Sequence, residues 1–175
     1  GGVGTIGAAT ETVANKSPHD SNDAKNWSNN AVPALNDNLF FDDIDEPLKW
    51  NLDSITVVMT KIDVFGTFDA GIGLPEVNAD GDYPEYRPKY YKMRTSTVNI
   101  GNPDGTGPEL FRHNNDTTAV TWNIYGSGPG DGTIPAVLLL GVPSVGNNIL
   151  NIHNGSVGVA FFGGELATIA GGINL

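Results

Sequence analysis

Two groups of carboxylates come closest, in residue type and spacing, to a catalytic site. The first group is Asp42, Asp43, Asp45 and Glu46, and the second is Asp80, Asp82 and Glu85. Paired carboxylates act as acid and base in glycoside hydrolysis, and with calcium they polarise sugar acids. Neither group is followed by a partner base at an informative spacing. The favoured interpretation is therefore a pair of solvated acidic turns.

Two residues of the second group also belong to a series of side chains at alternate positions that could supply oxygen ligands to a metal ion. Asn78, Asp80 and Asp82 stand at alternate positions, as they would in the first half of an EF-hand loop. That loop requires Gly at its sixth position, where this chain has Tyr83. The EF-hand is therefore excluded. The sequence predicts no cofactor, with calcium held by another kind of turn as the one alternative.

Aromatic and basic residues concentrate in residues 83–94, which hold four of the five tyrosines and four of the nine basic residues. Interleaved rings and cations are typical of surfaces that bind single strands or glycans. The candidates are Tyr86, Arg87, Tyr90, Tyr91 and Arg94, with Trp27 as a separate sugar-stacking candidate. Because the chain just upstream is acidic, we expect this basic patch to dock against the acidic half of the chain, or of a neighbour.

Other catalytic patterns are missing from the sequence. It has no Cys, which excludes thiol nucleophiles, disulfides and Cys-ligated metals. His19, His113 and His153 are far apart, and no Gly-x-Ser-x-Gly occurs. The Gly-rich residues 126–132 are not followed by the Lys-Ser/Thr of a phosphate-binding loop. The sequence predicts that the protein is not an enzyme.

The charge of the chain is acidic and uneven. The net charge is -11, with 15 acids and 4 bases in residues 1–85 but five of each in residues 86–175. An acidic chain repels nucleic acid and anionic lipid. No apolar run approaches the ~20 residues of a membrane span. We therefore expect no nucleic-acid partner and no membrane span.

Short strands are the elements that would position these groups. Three segments place an apolar residue, an Asn and an Ile before a turn, with Asn99, Asn123 and Asn151 separated by 24 and 28 positions. A repeat of that order suits one coil of a β-solenoid. No window shows the 3.6-residue apolar period of a helix. The sequence predicts an all-β fold, a right-handed parallel β-helix-like solenoid, with a β-sandwich or jelly roll as the alternative.

The chain divides into an arm and a β-rich domain. Residues 1–26 are small and polar, which predicts an N-terminal arm that is flexible or clasps another subunit. Residues 27–175 form the β-rich domain, interrupted by a Tyr, Pro and basic excursion at residues 76–95. The strands predicted are 39–41, 54–60, 61–65, 97–100, 109–112, 119–125, 136–140, 149–153, 156–161, 166–170 and 173–175.

Two segments resemble coils of a known kind of protein. They are Trp27-Ser28 with Pro33 and residues 36–42, and residues 151–159. They resemble coils of right-handed parallel β-helix proteins of phage fibres, virion surfaces and bacterial cell surfaces. The resemblance covers most of residues 27–175 and identifies no single family. It implies a durable extracellular or virion scaffold, often trimeric, used for attachment.

These features predict a non-enzymatic structural protein of a virion or cell surface: a fibre, decoration or adhesion module. A secreted β-helix that binds or cleaves acidic polysaccharide is one alternative, and a jelly-roll shell protein is another. Other virion or surface proteins and glycans are the expected partners.

An oligomer is also predicted, because residues 132–175 carry one charged side chain, Glu165. A self-contained domain places several charges on its solvent face, and an exposed apolar strand end invites pairing with another chain. We therefore expect a homo-oligomer, most simply a trimer. The contact residues predicted are Leu139, Phe161, Phe162, Ile173 and Leu175.

Overall fold

The computed structural model describes residues 19–42, 46–74, 89–130, 134–140, 148–159 and 172–174. Thirteen strands lie within these residues, and the one helical element there is a single 3-10 turn, Ala24–Asn26. Every pairing between described strands is parallel. The all-β class predicted from the sequence is confirmed.

Three parallel sheets contain these strands. The first holds, in spatial order, β1 (Asn38–Phe41), β3 (Lys61–Val64), β7 (Thr97–Ile100), β9 (Thr121–Ile124), β11 (Ile149–Ile152) and β13 (Gly172–Asn174). The second holds β4 (Gly71–Ile72), β8 (Leu110–Asn114), β10 (Val137–Leu140) and β12 (Val157–Val159), with β5 (Tyr91–Lys92) also beside β8. The third pairs β2 (Val58–Met59) with β6 (Arg94–Thr95). Parallel neighbours need a crossover, and each return of the chain to the first sheet passes through one or both of the other two.

Alternation of inward and outward side chains in the first sheet builds much of the core. In β3, Ile62 and Val64 are buried, whereas Lys61 faces outward, because successive side chains of a strand point to opposite faces. The parallel register then places apolar residues over one another in two inward columns. One column is Leu39, Ile62, Val98, Trp122 and Leu150, and the other is Phe41, Val64, Ile100, Ile124 and Ile152. These columns run through one hydrophobic cluster.

A polar pair crosses this core. The Trp122 Nε1 atom donates to His113 Nδ1 at 3.0 Å, and His113 Nε2 donates to the carbonyl of Met93 at 3.0 Å. Both ring nitrogens are therefore used by a neutral imidazole with its proton on Nε2. Burial lowers the pKa of His113 from 6.5 to about 4, although the hydrogen bond to Met93 acts in the opposite direction.

The Tyr, Pro and basic excursion is shorter than predicted at its C-terminal end. Ile72 of β4 and Tyr91 of β5 pair with Phe111 and His113, both in β8, and Leu74 N donates to Lys89 O at 2.9 Å. Residues 91–92 and 94–95 therefore belong to the sheets, and residues 76–88 lie outside the described residues. The chain between β3 and β7 supplies two short strands, β4 and β5, to the same partner strand β8. This segment is therefore longer than the segments from β7 to β9 and from β9 to β11.

The end of the predicted arm packs on the β-rich part of the chain. Asp20 forms a parallel bridge with Trp50, and Ser21 and Asn26 are fully buried. The Trp27 indole donates to the Ser21 carbonyl at 2.9 Å and meets the Phe41 ring edge-on, with ring centroids 6.0 Å apart. Residues 19–26 therefore cover one end of the core, and the predicted boundary at residue 26 is wrong for them. Residues 1–18 lie outside the described residues.

Candidate functional site

A column of polar side chains follows the outward face of the first sheet. The register places together Asp63, Asn99, Asn123 and Asn151, with Phe40 as the partner of Asp63 in β1. Asn99 Nδ2 donates to Asp63 Oδ1 at 2.7 Å, Asn123 Nδ2 to Asn99 Oδ1 at 2.8 Å, and Asn151 Nδ2 to Asn123 Oδ1 at 2.7 Å. We call Asp63, Asn99, Asn123 and Asn151 the amide ladder.

The ladder has a direction that its first residue sets. Each Asn carries both a donor and an acceptor, whereas a carboxylate only accepts. Asp63 is therefore the final acceptor of the ladder. It also forms an ion pair with Lys61, whose Nζ atom lies 2.6 Å from Asp63 Oδ2. The Lys61 ammonium lies 5.2 Å from the centre of the Phe40 ring. The ladder links four strands through side chains, in addition to their backbone hydrogen bonds.

Replacing Asn123 by Ala should destabilise the fold measurably. The change removes the Asn123 carbonyl that accepts from Asn151 and the Asn123 amide that donates to Asn99. Leaving partly buried polar groups unpaired costs about 1–3 kcal/mol, and we expect the lower part of that range because Asn123 is half-buried. Urea unfolding followed by tryptophan fluorescence measures the difference.

Thr121→Ala is the matched control for this prediction. Thr121 lies two residues earlier on the same outward face of β9 and is also half-buried, but it is outside the ladder. Its replacement should change stability by less than Asn123→Ala does. Equal effects of the two substitutions would show that the amide ladder contributes nothing beyond ordinary surface packing.

Two of the predicted ligand-binding aromatics are core residues, which corrects the prediction. Tyr91 is fully buried, its ring meets Phe41 edge-on at 6.5 Å, and its hydroxyl has no hydrogen-bond partner in the described part of the chain. Burial raises its pKa above the usual value. Trp27 is 4% exposed and closes the end of the core. Neither ring is presented to a ligand. The pairing of β5 with β8 turns Tyr91 inward, and the hydrogen bond from the Trp27 indole to the Ser21 carbonyl holds that ring against the core.

The remaining described members of the basic patch lie at the surface. Tyr90 is half-buried. Arg94 Nε donates to Asp116 Oδ2 at 2.6 Å, and Lys92 Nζ lies 3.1 Å from Asp116 Oδ1. Burial opposes ionisation of Asp116, but the hydrogen bonds and positive charges of Arg94 and Lys92 outweigh it and lower the pKa. The patch was expected to dock against the acidic half of the chain. Its strand β6 pairs with β2 of that half, and Arg94 Nη1 donates to the Thr56 carbonyl at 2.7 Å. The ion pairs of Arg94 and Lys92, in contrast, go to an acid of the other half.

Several predicted site residues lie outside the described residues. They are Tyr86 and Arg87 of the basic patch, Asn78, Asp80 and Asp82 of the calcium candidate, and Phe161, Phe162 and Leu175 of the oligomer contact. Ile173 lies in β13, paired with Leu150. Among the described residues, no group of three or more His, Asp or Glu side chains is placed to hold a metal ion.

Leu139 is a correction to the predicted oligomer contact. Its side chain has no exposed area, and its register partners are His113 and Val159. The apolar run of β10 suggested a surface for another subunit, but a strand flanked by two parallel neighbours buries such a run within its own chain. Leu139 therefore belongs to the core.

One small cavity lies beside Trp27. Its volume is about 80 Å³, and its walls include Ser28, Asn29, Asp37 and Leu39. Ligand pockets typically measure about 300–1,000 Å³. This cavity is therefore too small to enclose a sugar ring, and it does not supply the glycan site predicted for Trp27.

In comparisons with known proteins, no protein-family model, no curated protein and no solved structure matches the chain. In the described part of the chain, no helix is long and apolar enough to cross a membrane.

Proposed function

We propose that this chain is a right-handed β-solenoid and serves as a non-enzymatic structural module of a virion or cell surface, as a fibre, decoration or adhesion element. Its parallel strands support the solenoid, because the chain returns to the first sheet one strand further on each time. Sandwiches and jelly rolls are built from antiparallel strands. The resemblance to phage-fibre and cell-surface coils supports the location.

The observation that carries the structural role is the pairing of two inward apolar columns with the outward amide ladder. Side chains on both faces of the first sheet hold one strand to the next. Stacked coils of this kind resist local opening because each contacts both neighbours. The strand residues are thus occupied in cohesion, which suits a scaffold better than a catalytic cleft.

Incubation with polysaccharides tests the non-enzymatic part of this proposal. The purified chain, mixed with polygalacturonate, alginate and hyaluronan, should release no reducing ends and no unsaturated uronate above a heat-denatured control. The physical reason is that the polar side chains of the ladder are bonded to one another rather than to a shared substrate position. Reducing-sugar assay and ultraviolet absorbance make the measurement.

Turnover of any of these polymers would contradict the proposal and favour a carbohydrate-active β-helix. The substitution Asp42→Asn would then test whether the first acidic group is responsible for the turnover, since Asp42 is exposed at the end of β1. Asp37→Asn, in the turn before β1, is a matched control. Immunogold labelling of the producing particles or cells tests the surface location.

The homotrimer remains part of the proposal. The low charge of residues 132–175 supports it, although Leu139 is no longer one of the contact residues. Light scattering decides: a clean monomer near 18.4 kDa at working concentrations would rule the oligomer out.

A further inference from the structure

The turn after β11 holds an asparagine in an unusual relation to the next peptide group. Asn154 and Gly155 are exposed, and the Gly155 N–H donates to Asn154 Oδ1 at 2.8 Å. The side-chain carbonyl of Asn154 is thereby folded over the backbone nitrogen of the following residue. Gly155 has φ 114 and no Cβ to shield that nitrogen.

Two other asparagines in turns also accept a backbone hydrogen bond, but their side chains are directed away from the adjacent nitrogen. The Oδ1 atom of Asn29 accepts from Ala31 N at 3.2 Å, and that of Asn114 accepts from Asp116 N at 2.8 Å. Both reach the second residue on, so their side-chain carbonyls are held away from the nitrogen of the adjacent residue. Only the adjacent nitrogen closes a five-membered ring with the side chain.

We propose that Asn154 is a site of spontaneous deamidation through a succinimide. The Gly155 nitrogen gives up its proton to hydroxide and attacks Asn154 Cγ, forming the N–Cγ bond. The Cγ–Nδ2 bond then breaks, and the amide nitrogen takes a proton from water and leaves as ammonia, which regenerates hydroxide. Water adds to either carbonyl of the succinimide, and its ring opens to aspartate or to isoaspartate. No oxidant, reductant or enzyme is needed.

The product changes a turn that connects two sheets. Ser156 N donates to Ser127 Oγ at 2.7 Å, which fastens the start of the segment leading to β12. Isoaspartate lengthens the backbone by one methylene, which shifts Ser156 relative to Ser127. Either product adds a negative charge beside the turn of Asp104 and Gly105, since the Asn154 amide packs on Gly105. Deamidation therefore slowly loosens the hydrogen bond that joins Ser156 to Ser127.

Ageing the full chain at mildly alkaline pH and physiological temperature tests this proposal. Peptide mapping by mass spectrometry follows each amide, and an isoaspartyl methyltransferase labels the isoaspartate. Asn154 should convert about tenfold faster than Asn29 and Asn114 in the same digest, which corresponds to a barrier lower by about 1.4 kcal/mol. Those two asparagines are internal controls, because they share the sample and the fold.

The variant Asn154→Gln should abolish the fast conversion, because a longer side chain must close a less favourable six-membered ring. It should leave the rates at Asn29 and Asn114 unchanged. Persistence of the Asn154 amide in the folded chain, with conversion only in urea, would overturn the proposal because the fold would then protect the site. Conversion of Asn29 as fast as Asn154 would overturn it as well, since the distinctive geometry would then have no effect.

Discussion

Replacing Trp122 by Ala should lower the free energy of unfolding by about 3–5 kcal/mol, the range for truncating a large buried aromatic. Trp122 has no exposed area, and it lies in an inward column between Val98 and Leu150. Its removal opens a cavity in the middle of the first sheet. It also removes the donor to His113 Nδ1. Chemical unfolding followed by far-ultraviolet circular dichroism measures the loss.

Two variants separate the parts of this effect. Trp122→Phe retains a ring in the core and removes the indole donor, so it should cost about 1–3 kcal/mol from the unpaired His113 nitrogen together with the smaller ring. Tyr125→Ala removes a half-buried ring that stacks on His153, with centroids 4.8 Å apart. Aromatic pairs contribute about 0.5–1.5 kcal/mol beyond area burial. A Tyr125→Ala loss as large as that of Trp122→Ala would contradict the assignment of Trp122 to the core.

The strands with clear alternation could be predicted from the sequence. The predicted strands 61–65 and 97–100 correspond to β3 and β7. The recurring Asn before Ile was also a correct signal, since Asn99, Asn123 and Asn151 are register partners. The reason is that alternation and turn residues act within a few positions of the chain. The recurrence of these Asn residues in the sequence therefore corresponds to the register of the sheet.

Residues 54–60 show where local propensity was overridden. This β-branched run is predicted to be a strand throughout, but only Val58–Met59 pairs with another strand. Ser54 N instead donates to Asn51 O at 3.1 Å in a turn, where Asn51 has φ 52. Strand propensity describes fit to a half-buried pleated surface. It does not supply a partner strand, which here comes from residues more than thirty positions away.

The polar residues of the core could not be predicted for a related reason. His113 and Trp122 are nine positions apart on strands of different sheets, so their contact depends on how those sheets meet. Nothing in the residues around His113 distinguishes it from the exposed His153. Tyr91 was likewise assigned to a surface patch by its neighbours in sequence, and its pairing with β8 turns it inward. Local composition cannot determine contacts of this kind.

The stability of the fold should fall as the pH is lowered from about 6.5 to about 4. The pKa of His113 is 6.5 when exposed and about 4 in the fold. Between these values the unfolded chain binds a proton that the folded chain does not, so acid favours unfolding. The full stabilisation is present above the upper value. A pKa difference of that size corresponds to about 3 kcal/mol of unfolding free energy. Urea unfolding at a series of pH values measures it.

Other titratable groups near His113 act outside this window. Tyr91, its register partner in β5, has a pKa raised by burial. Asp116 has a pKa below the usual 3.8 despite the opposing effect of burial, because its hydrogen bonds and ion pairs with Arg94 and Lys92 prevail. Its stabilisation is lost only as the pH falls further, through the lowered value. The interval above about pH 4 therefore isolates His113 from both.

His113→Gln should flatten the pH dependence in that interval. Its amide has one donor and one acceptor, so it offers partners of both kinds to Met93 and Trp122 without a titrating ring. Trp122→Phe should retain most of the dependence, because burial rather than the indole bond is the main cause of the low pKa. Titration of the His113 ring by NMR measures the folded pKa directly. A value near 6.5, or an unchanged slope in His113→Gln, would show that protonation of His113 is not what destabilises the protein in acid.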